Sequence, residues 1–443
     1  MRIALIAMSG IRACDEELLR LGLTLPGFVE RSKVIASLPS LGLLTLAGMT
    51  PREHHVEYFE VADLAESRTA GTIPDGFDLV AISSFSAQIN EAYELGDSYR
   101  ARGVPVVLGG LHVSSLPHEA QPHCDAAVVG EGELSWPRVL ADAERGSLQT
   151  VYDTAGVEFD LAEAPLPAYE LLDIDKYNRL TVQTSRGCPH VCEFCASSIL
   201  ITKRYKQKPI AKVLAEIDRI RALWDRPFIE FADDNTFIDH AYWKELLPQL
   251  RQRRLRWFTE TDVSVATDEA LLHAMRAAGC AQVLIGLESP TADPLDGVEV
   301  RRNWKLKQWP KYRDAVRTIQ AHGISVNGCF VLGLDGQGPD VFDQVFEFVR
   351  DTELHEVQIT LQTPFPGTPL YERLRAAGRL LDERAWRKCT LFDVTFQPAH
   401  MSVDQLRQGF RELGVRLYSE DFTNWRRARF RETLRASKRG PNS

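Results

Sequence analysis

The 443 residues contain no apolar stretch long enough to cross a bilayer; the longest apolar helix candidate, Leu41 to Met49, falls far short of the ~20 residues a span requires. No signal-peptide cleavage pattern precedes the apolar strand that Met1-Arg2-Ile3-Ala4-Leu5-Ile6-Ala7 enters, so no membrane span and a cytoplasmic location are expected. Positive charge is scarce as well. With 52 Lys and Arg against 61 Asp and Glu the net charge is −9, which argues against a general nucleic-acid binder, and no nucleic-acid partner is expected. Five of the eight cysteines, Cys14, Cys124, Cys280, Cys329 and Cys389, stand alone. Isolated thiols fit a reducing compartment and leave no second cysteine-ligated cluster. There is no internal repeat and no disorder-like composition; a hydrophobic content of 44% is ordinary for two or three globular domains.

The other three cysteines are crowded into one loop, Ser185-Arg186-Gly187-Cys188-Pro189-His190-Val191-Cys192-Glu193-Phe194-Cys195. A C-x3-C-x2-C spacing lets three thiolates converge on one iron–sulfur cubane while the fourth iron keeps no protein ligand. A structural zinc site would need a fourth tight ligand, and the nearby candidate, His190, is wedged between two of the cysteines. The stretch resembles the cluster motif of the radical S-adenosylmethionine (SAM) enzymes, including an aromatic residue, Phe194, before the last cysteine. The resemblance implies that Cys188, Cys192 and Cys195 hold a catalytic 4Fe-4S cluster, that SAM chelates the open iron, and that one electron splits SAM to a 5′-deoxyadenosyl radical. It also implies an electron donor such as flavodoxin or ferredoxin, and a protein that orients the radical and excludes solvent.

Residues 1–145 alternate between strands and helices: Arg2–Ala7, Val56–Phe59, Leu79–Ser83, Val104–Leu108 and Ala126–Val129 are short apolar or β-branched runs with helical patterns between them. This predicts a small open parallel sheet. Two glycine turns follow its last strands, Gly109-Gly110-Leu111-His112 and Gly130-Glu131-Gly132-Glu133. At the carboxyl ends of such strands glycine lets the backbone approach a ligand, although any isolated pair is usually an ordinary tight turn. Together with Leu41-Gly42 and Asp78 to Ser83, the order and spacing of these turns resemble the cobalamin-binding domain that precedes the cluster in one radical SAM subgroup. The resemblance implies a Rossmann-like domain whose cofactor contacts include Gly109, Gly110, His112, Gly130, Glu131 and Gly132. The D-x-H-x-x-G motif that sets a histidine under cobalt is absent, since none of the eleven histidines follows an aspartate by two positions.

Periodicity lapses over 146–178, where Pro165 and Pro167 flank Leu166, and a linker is expected there. From 179 to 375 the pattern returns as six strand–helix units beginning at Leu180, Phe228, Trp257, Val283, Val326 and Glu356, which together with the family resemblance predict a partial (β/α)6 barrel. Barrels of this kind carry chemistry at the carboxyl ends of the strands. Polar residues found there are Asp233, Asp234, Asn235, Glu260, Asp262, Glu288 and Ser289. The first five could hold the ammonium of SAM and the last two a ribose hydroxyl; each could equally cap a helix or face solvent. Gly333-Leu334-Asp335-Gly336-Gln337-Gly338 lacks the lysine and hydroxyl residue of a phosphate loop and reads as a turn. Thr363-Pro364-Phe365-Pro366-Gly367-Thr368-Pro369 resembles the segment at this position in cobalamin-type radical SAM proteins.

Residues 376–443 form a short, mostly helical C-terminal region, with a capping box at Ser402 and Gln405 and a basic tail from Arg426 to Arg439 that reads as a solvated helix end. The expected function is cobalamin-dependent methyl transfer to an unactivated carbon of a small molecule. Radical cyclisation or rearrangement, aminocarboxypropyl transfer, and a non-catalytic cobalamin or redox sensor are the alternatives.

Overall fold

The computed structural model describes residues 1–10, 12–20, 38–197, 202 and 204–439; side chains at 20 and at 437–439, including two cations of the basic tail, lie outside what is described. The architecture is α/β, with two parallel sheets and a helical C-terminal region, as expected. In the N-terminal sheet the strands β1 (Arg2–Met8), β2 (His55–Val61), β3 (Leu79–Ser83), β4 (Val106–Gly109), β5 (Ala126–Val129) and β6 (Val151–Asp153) lie in the order β2-β1-β3-β4-β5-β6. Strands buried on both faces read as unbroken apolar runs, and Ile3 to Met8 are all buried. Chain direction across the sheet reverses between β1 and β3, the topological switch point at which such sheets bind ligands.

The strand β6 corrects the sequence expectation of five strands. It comes from the stretch expected to be linker, and pairs in parallel with β5 through Ala127↔Val151 and Val128↔Tyr152. Three residues are too few for an alternation to register.

The second sheet is formed by β7 (Leu180–Val182), β10 (Phe228–Phe231), β11 (Arg256–Thr261), β12 (Cys280–Glu288), β13 (Ser325–Leu332) and β14 (Glu356–Leu361), all parallel and in sequence order from one edge to the other. A two-residue antiparallel ladder, β8 (Ser185–Arg186) with β9 (Lys206–Gln207), flanks the cysteine loop. The helix Ile210–Leu223 buries Val213, Leu214, Ile217 and Ile220 against the barrel, the apolar stripe visible in the sequence.

The C-terminal region is a brace across both domains. Tyr371, Trp386 and Cys389 join the apolar core on one face of the N-terminal sheet. The helix Val403–Tyr418 starts with the expected reciprocal capping box of Ser402 and Gln405. The helix Glu420–Arg439 corrects the expectation of a solvated basic tail: Arg426 is wholly buried, donating to the carbonyls of His355 at 2.7 Å and Leu417 at 3.1 Å, and Arg429 pairs with Glu353 at 2.6 Å. Among the described residues no helix is long and apolar enough to cross a membrane.

Candidate functional site

A cavity of 560 Å³ opens where the two sheets' carboxyl ends face each other. Its lining comes from the N-terminal domain (Met8 to Gly10 after β1, Ser83 to Phe85 after β3, Gly109 and Gly110 after β4, Gly130 to Glu133 after β5) and from the barrel (Thr181, Gln183, Arg186, Glu230, Ala232, Asp234). The switch point of one sheet thus shares its space with the first two strands of the other.

The glycines divide into two kinds. A Cβ on Gly110, whose φ is +105°, would lie 2.8 Å from the carbonyl oxygen of Ser84, and one on Gly130 would lie 2.8 Å from the Thr154 hydroxyl. These two are required by the protein's own packing. A Cβ on Gly109 would find its nearest neighbour 3.9 Å away and one on Gly42 would meet nothing within 4 Å, yet both line the cavity. Glycine there leaves backbone open to a ligand, which fits a broad flat cofactor such as cobalamin. His112 was expected among the contacts, but it is absent from the lining. It is fully buried, with Ser86 at 3.0 Å, Glu119 at 3.2 Å and Trp386 edge-on at 5.1 Å, and burial holds its basicity down.

Glu131 also has a different task from the one expected. Its buried carboxylate accepts from Arg186 at 2.5 Å, from Lys206 at 2.6 and 2.8 Å, and from the backbone of Phe159 at 2.7 Å, while Glu133 takes the second arm of Arg186 at 2.7 Å. Arg186 stands two residues before Cys188. The glycine turn of the N-terminal domain is therefore bolted to the base of the cysteine loop by a buried ion network. Only backbone of the Glu131 turn faces the cavity freely.

The cysteine loop is held from three sides. Asp234 accepts from the backbone of Gly187 at 2.7 Å and from the Ser197 hydroxyl. Residues 191–193 run antiparallel to 298–300, with Glu193 N on the Val298 carbonyl and Val300 N on the Val191 carbonyl, both at 2.9 Å. Glu193 forks onto Arg373 at 2.7 and 2.9 Å, and that arginine follows the proline-rich turn. Phe194 packs between two small apolar clusters, around Val331 and around Leu370, and is not in the lining of this cavity.

Among the described residues no three His, Cys, Asp or Glu side chains converge tightly enough for a single metal ion. His190 is committed elsewhere, stacked on Trp304 at 4.6 Å and 3.5 Å from Asp262, so it is no fourth zinc ligand. Thiolates of a cubane each bind a different iron and stand farther apart than ligands of one ion. Burial pushes the Cys188 thiol up to about 11 and that of Cys192 higher, and the three are near enough for each charge to oppose the next. Loading with a cluster must therefore displace these protons.

The barrel-end polar residues fall into holders and one unoccupied group. Asp233 is buried and accepts from the backbones of Thr184 at 2.7 Å and Ser185 at 2.9 Å, while burial lifts its carboxyl to about 6. Asn235 donates to Asp262 at 2.8 Å and reaches within 4.0 Å of the Cys188 sulfur. Asp262 is held low despite burial by His190, Ser264 and Asn235. Glu288 sits at a bulge with φ +63° and pairs with the half-buried Lys305 at 2.9 Å; Ser289 is buried against Thr291 at 3.3 Å. Glu260 has no hydrogen bond or ion pair among the described residues. Solvent reaches it, but surrounding protein and the carboxylates of Glu230, Asp234, Glu288 and Asp233 lift it to about 8. Lys305, Arg186 and Lys206 were missed in the sequence reading, because nothing local marks a cation whose partner is distant in the chain.

Residues 182–349 match the radical SAM superfamily, 31–140 the B12 binding domain, and 368–443 a domain of unknown function (DUF4070). The chain is 30% identical over 362 residues to hopanoid C-2 methylase of Rhodopseudomonas palustris, covering 79% of this chain and 67% of that protein. It is 28% identical over 371 residues to bacteriochlorophyllide d C-12(1)-methyltransferase of Chlorobaculum tepidum, covering 82% and 80%. The radical SAM methyltransferase TsrM from Kitasatospora setae, solved with cobalamin and a 4Fe-4S cluster bound, superposes with a TM-score of 0.64 over 99% of both chains at 16% identity, a likeness of fold. The chain belongs to the radical SAM superfamily, in the group that carries a B12-binding domain ahead of the barrel. It is an enzyme whose cofactors are a 4Fe-4S cluster, SAM and cobalamin, and it requires a reductant.

Proposed function

We propose that this enzyme transfers a methyl group to an unactivated carbon of a small molecule, with SAM as methyl source and radical source. The observation that carries the reading is the single cavity that joins the glycine-lined switch point to the barrel mouth and the flank of the cysteine loop. A methyl carrier and a radical source must reach one substrate, and a shared chamber meets that need. When bound, cobalamin supplies the methyl group, and the cluster with SAM supplies the hydrogen-abstracting radical.

The chain's own residues orient and enclose. Cys188, Cys192 and Cys195 hold the cluster. Glu260, the carboxylate left without a partner, receives the SAM ammonium, with Glu230 and Asp234 beside it. Ser289 serves the ribose edge. Gly42 and Gly109 would open backbone to the corrin, and no histidine is among the described residues that line the cavity. The reductant is a small one-electron carrier of the flavodoxin or ferredoxin class.

Product analysis tests the proposal. Methylation consumes two SAM per turnover and leaves S-adenosylhomocysteine and 5′-deoxyadenosine in equal amounts; Cys192→Ala protein should yield no 5′-deoxyadenosine. Deoxyadenosine without matching S-adenosylhomocysteine would indicate cyclisation or rearrangement. Methylthioadenosine as the main nucleoside would refute methylation in favour of aminocarboxypropyl transfer.

A further inference from the structure

A chain of net charge −9 contains one run, residues 300–313, with six cations and no acid. Two of the six are used internally: Lys305 pairs with Glu288 at 2.9 Å and Arg313 with Asp351 at 3.5 Å. The other four, Arg301, Arg302, Lys307 and Lys311, are exposed and have no acidic partner among the described residues. Val300, half exposed at 50%, lies beside them. On the preceding turn Asp293 and Asp296 are exposed, which leaves the patch net positive.

The position of this run matters more than its charge. Residues 298–300 pair with 191–193 of the cysteine loop, and Cys192 itself bridges to Glu299. The buried Glu299 carboxylate gathers the backbone N–H groups of Val191 at 3.1 Å, Arg301 at 3.2 Å and Arg302 at 2.7 Å, so the loop and the first residues of the patch are parts of one rigid turn. Trp304, from the same run, stacks on His190 inside the loop. The patch is thus joined by backbone pairing to the segment of the loop that carries Cys192.

We propose that this face is the docking site of the reductant, a small acidic one-electron carrier of the flavodoxin or ferredoxin class; the inference rests on the radical SAM reading of the cysteine loop. An acidic partner is selected by complementarity, because unpaired surface cations on an otherwise acidic protein steer an anionic carrier to this face and away from the rest. An apolar residue beside a charged rim suits a brief, specific contact. One electron leaves the carrier's flavin hydroquinone, which becomes the semiquinone, and lowers the 4Fe-4S cluster from the 2+ to the 1+ state; no bond is made or broken at this step.

The test compares two reductants on anaerobically reconstituted enzyme: reduced flavodoxin, which is acidic, and the reduced methyl viologen cation. The variant Arg301→Glu/Arg302→Glu/Lys307→Glu should lower the second-order rate of cluster reduction by flavodoxin at least about tenfold at low salt. Its SAM cleavage with viologen should match wild type. The wild-type flavodoxin rate should fall as salt rises and the variant's should not. Oxidised flavodoxin titrated into the apoprotein, followed by flavin fluorescence anisotropy, should bind wild type more tightly than the variant, and carbodiimide should cross-link it at Lys307 and Lys311. An unchanged flavodoxin rate in the folded variant, or a wild-type rate indifferent to salt, overturns the proposal. A variant that loses turnover with viologen as well overturns it too, by assigning the patch to substrate. Should the triple variant fail to fold, Lys307→Glu alone and the wild-type salt series decide in the same sense. Wild type that cleaves no SAM with either reductant would instead bring down the radical SAM reading.

Discussion

The carboxyl end of the N-terminal sheet is lined with glycine and small residues, whereas that of the barrel is lined with carboxylates, though both face the same cavity. One end makes room by omission; the other creates a field of negative charge that needs a cation to complete it. Glu230 and Asp234 bring that charge to the cavity, and Glu260, which has no hydrogen bond or ion pair among the described residues, adds to it from the next strand. Between the two ends stands the Arg186 network, the one place where the glycine side contributes acids, and there they serve the barrel's loop.

Breaking that joint should have the largest effect on the fold. Arg186→Met leaves Glu133 buried without its partner and Glu131 with Lys206 and the Phe159 backbone N–H, and should cost about 3 kcal/mol, the usual penalty for removing one side of a buried ion pair. Urea unfolding would measure it. Iron loading should fall as well, because Arg186 secures the turn into Cys188; an unchanged unfolding midpoint would mean that the network is a passive surface contact.

The contrast between the glycines can be sharpened next. Gly110→Ala should destabilise by about 1–3 kcal/mol, since its φ of +105° and the Ser84 carbonyl at 2.8 Å leave no place for a methyl group. Gly109→Leu should leave the unfolding midpoint nearly unchanged while weakening cobalamin retention through gel filtration at least about tenfold, a side chain there filling the space of the ligand. If Gly109→Leu retains cobalamin as wild type does, the glycine-lined end is only a scaffold.

The smallest effect belongs to the acid end. Surrounding protein and neighbouring carboxylates lift Glu260 to about 8, above the ~4.3 of a free glutamate, so it binds a proton more tightly in the folded protein than in the unfolded chain, by an amount that solvent at its exposed side chain screens. Its contribution to stability is therefore lost as pH rises from about 4.5 to about 8, and changes no further beyond that. In the apoprotein Glu260→Gln should flatten this slope, raising Tm by about a degree or two at pH 8.5 and little at pH 5.5 in calorimetry. Tm curves with the same pH slope in both proteins would show that the carboxylate is freely solvated.

What could be read from the chain was what is local. The barrel strands stood out as apolar runs ended by glycine or polar residues, as in Val326 to Leu332, and the Ser402 capping box lies within four residues. The strand β6, too short to show a period, and the buried tail arginine Arg426 were not legible. A basic residue in a basic run gives no sign that a carbonyl 71 positions away will accept its proton.

The sequence by itself determined the chemistry: three cysteines at one spacing in one loop, glycines at strand ends, and acids where barrel strands finish, because ligand type and local reach are properties of neighbouring residues. Only the tertiary structure decided what each of those residues touches. His112 turns to Ser86 and Glu119, Phe194 turns into apolar packing, Asp233, Asp234 and Glu131 hold the cysteine loop and its flanks, and Glu260 keeps no hydrogen bond or ion pair among the described residues. The reason is physical. A buried polar group must find its partner wherever the fold brings one, and the partners of Glu131 and Asp233 lie 55 and 49 positions away in the chain.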